Sequence, residues 1–284
     1  MSVRFLAGPS RPARRTITSV AVAAAALSVA LTGSAVAGSG RSVPAPPTSP
    51  TSASQIQNID QVRTAIKGYY GDTPTTAVDP VPNSIDGGDK ALHTFSPNSA
   101  YAAEVAGIEA GAAKDLAKFA KNGKATGARA VLFDVDDTTL NTFNYEIYSN
   151  FVYNPTTNAA FVNAASFPAV PGMVAFEHRA EGMGYTVFFL TGRPEAQRAG
   201  TVANLVDQGY DVIDSHLYLK DLTAPWLSSC APSCTTTQYK SLTRAHIESL
   251  GYDIVGNFGD QPSDLAGGYA NQTYKIPNPM YYLP

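Results

Sequence analysis

The chain is short of the residues that define several common protein classes. It has two cysteines and four histidines in 284 residues. His93, His178, His216 and His246 are scattered, with neither metal-ligand spacing nor an Arg-His-Gly context, so histidine chemistry has no anchor and structural roles suffice for all four. Basic residues are scarce too, twenty Lys and Arg against twenty-three Asp and Glu, with no Lys/Arg run. That removes the electrostatic footprint of a nucleic-acid binder. Beyond the N-terminus no apolar stretch approaches about 18 residues, so no membrane span is expected. No internal repeat is visible.

What is present begins with an expected export signal over residues 1–37. Arg4, Arg11, Arg14 and Arg15 form a basic region, Val20 to Leu31 is apolar, and Ala35-Val36-Ala37 reads as a small-residue cleavage site, with cleavage after Ala37. Arg14-Arg15 fits a twin-arginine signal poorly, because Thr16-Ile17-Thr18 stands where apolar residues belong. Removing four arginines leaves sixteen basic against twenty-three acidic residues, a net charge near −7. In a secreted chain Cys230 and Cys234, in CAPSC, read first as a disulfide and second as free thiols. A metal site at the pair would need further ligands nearby, and none is visible.

Residues 38–54 are rich in Ser, Pro and Thr and read as a disordered linker. A domain over 55–284 follows, divided into a helical extension (55–125) and a core (126–284). Ile56, Ile59, Val62, Ile66 and Tyr69 recur at helical spacing up to Gly71-Asp72, and a loop is expected from there to about Pro97. A second helix is predicted from about Asn98 to Lys121, with Tyr101, Val105, Ile108, Ala112, Leu116 and Phe119 on one face. From Arg129 onward β-prone apolar runs alternate with helical patterns, which predicts a three-layer α/β/α sandwich around a mostly parallel sheet. Predicted strands are Val131 to Phe133, Tyr185 to Leu190, one within Val212 to Leu219, Tyr252 to Phe258 and an edge strand at Thr273 to Ile276. Predicted helices are Pro171 to Met183, Pro194 to Gln208 with proline at its first position, and Gln238 to Leu250.

In open α/β sheets ligands bind beyond the carboxyl ends of the strands. The first core strand ends in Asp134 and Asp136, the second in Thr191-Gly192-Arg193, and the Tyr252 strand in Gly259-Asp260-Gln261 with Ser263-Asp264 a turn later. Residues i and i+2 of an extended chain share a face, so Asp134 and Asp136 would converge while Val135 turns inward. Two close carboxylates resist double ionisation, which suits one as nucleophile or metal ligand and the other as proton donor. The plain alternative is an acidic turn after a strand. Lys240 opens the helix before the Tyr252 strand, and with these groups makes a coherent site for a phosphate and a cation. Lys220, directly after a strand, is the rival lysine, more simply a solvated strand end.

The strings FDVDDTTL, FFLTGRPE and YKSLTRAHIESLGYDIVGNFGDQPSDLAG resemble, in this order, the motifs of the haloacid dehalogenase superfamily. The spacing of Lys240, Arg244 and Gly259-Asp260-Gln261 is similar to that of its secreted acid phosphatases, of the class B/C and plant vegetative-storage-protein type. The resemblance implies a Rossmann-like core without a large cap, in which Asp134 attacks phosphorus and Asp136 protonates the leaving alcohol. It further implies Mg²⁺ held by Asp134, the Asp136 carbonyl and Asp260, with Asp264 behind them. Thr191, Gly192 and the amides that follow would bind phosphoryl oxygens at a helix N-terminus, Lys240 would stabilise the charge, and Arg193 would touch substrate or cap the rim. Mn²⁺ or Co²⁺ could replace Mg²⁺. Asp136 argues against carbon–halogen chemistry, which needs no acid there, and the presence of Asp134 favours a live enzyme.

Only about thirty residues separate the first motif from the Pro171 helix. Phe143, Tyr145, Tyr148, Phe151 and Tyr153 crowd that gap, either as a small aromatic lid over a leaving group or as core packing. The expectation is a secreted metal-dependent acid phosphatase acting on small phosphate monoesters, with an acid-to-neutral pH optimum. The alternatives are a 5′-nucleotidase of the same fold and a catalytically weak binding or storage protein.

Overall fold

The computed structural model describes residues 51–52, 58–81 and 91–283. The expected export signal lies outside the described residues, as does the expected linker apart from Thr51 and Ser52.

Helix α1 (Ile59–Tyr70) is capped by Asn58, whose side chain accepts from the Gln61 amide, and ends at Gly71 in the left-handed region. Its buried face is narrower than the spacing predicts. Ile66 and Tyr70 are buried, but Ile59 and Val62 are more than half exposed, because the first two turns project past the layer they were expected to cover. The segment expected to be a loop instead holds an antiparallel pair, β1 (Thr73–Val78) and β2 (Ala91–Thr94). Helix α2 (Ala100–Asn122) matches its prediction: Tyr101, Val105, Ala112 and Leu116 are buried along one stripe and Ser99 caps the first turn.

The core sheet has five parallel strands in the order β5-β4-β3-β6-β7: β3 (Ala128–Phe133), β4 (Thr186–Pro194), β5 (Leu217–Lys220), β6 (Tyr252–Gly259) and β7 (Gln272–Lys275). Strand alternation sorts the side chains into two cores. Val131, Phe133, Val187, Phe189 and Val255 face one way, onto α2, α5 (Met173–Gly182) and α6 (Arg198–Gln208). Ala130, Leu132, Phe188, Leu190 and Ile254 face the other, onto α7 (Thr236–Ser249). This is the three-layer sandwich that the alternation predicted.

Two short helices, α3 (Phe143–Tyr148) and α4 (Pro155–Asn163), fill the gap after β3, and the brief α8 (Pro262–Leu265) follows β6. Phe143, Tyr145 and Tyr148 are buried, Phe151 is half-buried and Tyr153 is 68% exposed. Most of the aromatic cluster is therefore core, with Tyr153 left at the rim. Among the described residues no helix is long and apolar enough to cross a membrane. Cys230 and Cys234 form a disulfide just ahead of α7.

Candidate active site

The carboxyl ends of β3 and β6 lie side by side in the middle of the sheet, and the Asp134 amide donates to the Phe258 carbonyl at 2.9 Å. That pairing brings Asp134, at the end of β3, beside Asp260, one residue past β6. Carboxylate oxygens of Asp134, Asp260 and Asp264 all lie within 4.8 Å of one another, and each residue is at least nine-tenths buried. Gly259 makes the crowding possible, since a Cβ there would stand 2.4 Å from the Asp264 Cβ.

Lys240 reaches in from α7 and uses all three of its donors. Its ammonium donates to Asp134 Oδ1, to Asp264 Oδ1 at 3.0 Å and to the Leu190 carbonyl at 2.6 Å. Burial alone would lower the Lys240 pKa, but Asp134 and Asp264 outweigh it and hold it above its ordinary value. Asp134 is pushed up to about 8 by burial and then by the Asp264 charge, against the pull of Lys240. Burial likewise raises Asp260 well above the usual range, with Asp134 and Asp264 adding to it. Burial and mutual repulsion thus resist ionisation of Asp134 and Asp260 beside a single ammonium, and the three carboxyl groups offer hard oxygens suited to a divalent cation.

The hydrogen bonds show which oxygens are open. Asp264 is used on both sides, Oδ1 by Lys240 and Oδ2 by the Gln261 amide at 2.9 Å. Asp134 Oδ2 and Asp260 Oδ1 accept nothing from the described residues, so each of these two carboxyl groups keeps one oxygen open while both oxygens of Asp264 are engaged.

Asp136 parts from Asp134. Its side chain is 32% exposed, and Arg193 holds both oxygens, Nε to Oδ2 at 3.1 Å and Nη2 to Oδ1 at 2.6 Å. Arg193 is itself buried, donating from Nη1 to Thr201 Oγ1 at 3.1 Å and lying over the Phe167 ring. It neither caps a rim nor points outward: its guanidinium is committed to Asp136.

Thr191 departs from expectation in its setting. Strand β4 runs through Thr191 and Gly192 to Pro194, where it pairs with edge strand β5 again at Pro194↔Lys220 after an irregularity that follows Leu190↔Tyr218. A single 3-10 turn, Glu195–Gln197, intervenes before α6 begins at Arg198. Pro194 is therefore not the first residue of a helix, and Thr191 does not sit at a helix N-terminus. The Thr191 side chain is buried and accepts from the Arg193 amide at 3.2 Å, and its carbonyl accepts from Tyr239 Oη at 3.0 Å. Gly192 is exposed, with nothing within 4 Å of where a Cβ would stand. Lys220, the rival lysine, lies at the end of edge strand β5, and it is Lys240 that enters the carboxylate cluster.

Sequence reasoning passed over Asp137, Asn278 and Tyr281. Asp137, fully buried with φ +55°, accepts from the Thr142 amide at 2.9 Å and from the Thr142 and Tyr281 hydroxyls at 2.6 Å each. Asn278 donates to Asp260 Oδ2 at 2.7 Å. The available signal was position: Asn278 and Tyr281 follow β7 and Asp137 follows β3, so all three fall at the same carboxyl edge of the sheet.

Fold and site together define a doubly wound α/β protein with a lysine-bridged carboxylate centre at its strand ends. The chain belongs to the HAD superfamily, subfamily IIIB (acid phosphatase), whose family model matches residues 92–284. Acid phosphatase 1 of Solanum lycopersicum is 36% identical over 157 residues, covering 54% of this chain and 58% of that protein. The stem 28 kDa glycoprotein of Glycine max is 34% identical over 157 residues, covering 54% of this chain and 59% of that protein. Vegetative storage protein 1 of Arabidopsis thaliana is 31% identical over 159 residues, covering 54% of this chain and 55% of that protein. The match thus spans less than three-fifths of the length of these relatives. Among solved structures, the class C acid phosphatase of Bacillus anthracis superposes with a TM-score of 0.53 at 21% identity, covering 64% of this chain and 79% of that one, a likeness of fold.

Proposed function

We propose that the chain is an exported, Mg²⁺-dependent phosphomonoesterase acting on small organic phosphate esters. The observation that supports it most is the buried Asp134–Lys240–Asp264 bridge beside Asp260, with Asp136 alone reaching solvent. Phosphate monoesters hydrolyse extremely slowly unaided, and a covalent route divides the barrier between two displacements. Asp134 attacks phosphorus as the bond to the leaving alcohol breaks, and Asp136 gives that alcohol its proton. Water then attacks the aspartyl-phosphate, Asp136 takes a proton from it, and inorganic phosphate leaves with Asp134 restored.

Asp134, Asp260 and the Asp136 carbonyl would hold Mg²⁺, which neutralises the phosphoryl dianion and lets a carboxylate approach it. Lys240 fixes Asp134 and offsets charge as it builds in the transition state. The Thr191 hydroxyl, whose oxygen already accepts from Arg193, retains its proton to donate to a phosphoryl oxygen beside the exposed Gly192 backbone. Export rests on the N-terminal signal pattern and on the Cys230–Cys234 disulfide, which suits an oxidising compartment.

The test is hydrolysis of an aryl phosphate by purified protein, with Mg²⁺ and with chelator, beside Asp134→Asn. Metal-dependent turnover lost in the variant is expected. No turnover with any divalent metal from pH 5 to 8 would favour a binding or storage role instead.

A further inference from the structure

Asp260 is gripped in an unusual way. Two side-chain amides, Gln261 Nε2 at 2.6 Å and Asn278 Nδ2 at 2.7 Å, donate to the same oxygen, Oδ2, and leave Oδ1 without a donor among the described residues. The orientation of both amides is set by backbone of one segment. The Met280 N–H donates to Asn278 Oδ1 at 2.9 Å, and the Leu283 N–H donates to Gln261 Oε1 at 2.9 Å, which turns each nitrogen toward Asp260. Tyr281 ties the same segment to Asp137, and the Leu283 carbonyl accepts from Ser263 Oγ at 3.2 Å. Neutral donors have a particular use here: they fix the direction of a carboxylate and preserve its charge, whereas a lysine or arginine would cancel it.

We propose that Asn278, together with Gln261, is a positioning residue that aims Asp260 Oδ1 at the divalent cation, and that residues 278–283 form the clasp that sets the aim. The inference rests on the reading that Asp260 holds the cation. Supporting groups of this kind change metal affinity by about 10–100-fold when removed.

The experiment is calorimetric titration of the intact protein with Mg²⁺ in the absence of substrate. Asn278→Ala should weaken Mg²⁺ binding about ten-fold or more, and excess Mg²⁺ should restore its turnover. Leu283→Pro, which removes the N–H that orients Gln261 at a half-exposed position, should weaken binding in the same direction. Tyr185→Phe, which deletes a buried hydroxyl bond to the Leu116 carbonyl outside the clasp, should lower the melting temperature in chelator and leave Mg²⁺ affinity at the wild-type value. Unchanged affinity in both Asn278→Ala and Leu283→Pro overturns the assignment, as does an equal weakening by Tyr185→Phe. A wild-type protein that binds Mg²⁺ but hydrolyses no phosphate ester would sink the phosphatase reading and leave this comparison standing.

Discussion

Arg193 grips Asp136 by both carboxylate oxygens from the neighbouring strand, so the one solvent-facing carboxylate of the site has a single fixed direction. A guanidinium makes this two-point contact and an ammonium cannot. Arg193→Lys should therefore lower kcat by about ten-fold or more, the scale of losing a positioned acid–base group, with Mg²⁺ affinity little changed. Steady-state kinetics at saturating Mg²⁺ checks it, and an unaltered kcat would mean that the direction of Asp136 is immaterial.

Lys240 has the opposite problem, since it is wholly buried between charges. Removing one member of a buried ion pair strands the other, at a cost of about 3–5 kcal/mol. Lys240→Met should destabilise the metal-free protein on that scale in urea unfolding with chelator. Added Mg²⁺ should narrow the gap, because a bound cation offsets the same carboxylates that Lys240 serves.

Away from the site, Glu177 on α5 is fully buried, and neither of its oxygens has a hydrogen-bond partner among the described residues. The half-exposed His178 imidazole lies 3.4 Å from one of them. Burial, then the charges of Glu181 and Asp211, raises its pKa from 4.5 to about 8. A carboxyl that holds its proton more tightly in the native state contributes stability that is fully present below its unfolded pKa and is lost as pH rises through its folded one. Stability should fall between about pH 5 and 8, and Glu177→Gln should flatten that slope, raising stability at pH 8 by about 1–3 kcal/mol. Thermal unfolding of both proteins at pH 5 and pH 8 measures this. A parallel slope in the variant would assign the pH dependence elsewhere.

The Cys230–Cys234 bridge closes a loop of only a few residues, for which chain-entropy reasoning gives about 2 kcal/mol. A double Cys→Ser variant should melt a few degrees lower and keep its kcat, because Lys240 lies more than a helical turn beyond Cys234. A large loss of kcat would show that the loop sets the register of α7.

The sheet was legible because its strands are buried on both faces, and runs such as Val131-Leu132-Phe133 have no other economical place to go. Asp134 and Asp260 were legible for a related reason, as polar residues at the ends of such runs, and Lys240 as the lysine that opens the helix before the Tyr252 strand. Local pattern misled where a partner strand overrode it. Thr191 to Pro194 look like a helix entrance, yet β4 carries on through them, past an irregularity in its pairing, to meet β5 again at Pro194. Strands β1 and β2 carry no clean alternation, and Pro74 within β1 argued for a loop. The apolar stripe of α1 was real as spacing, but only its last turn reaches the core. Asn278 and Tyr281 act through contacts with residues far upstream, which periodicity does not encode.

The central pairing of β3 with β6 joins segments very distant in the chain; the Thr126 amide reaches Asp253 across 127 positions. Contacts of such span are the slowest to form, since loop closure precedes any reward from them. Asp134 and Asp260 meet only through this pairing, so turnover during refolding should recover later than helical ellipticity does. The reaction itself then serves as a clock for the last long-range step of folding.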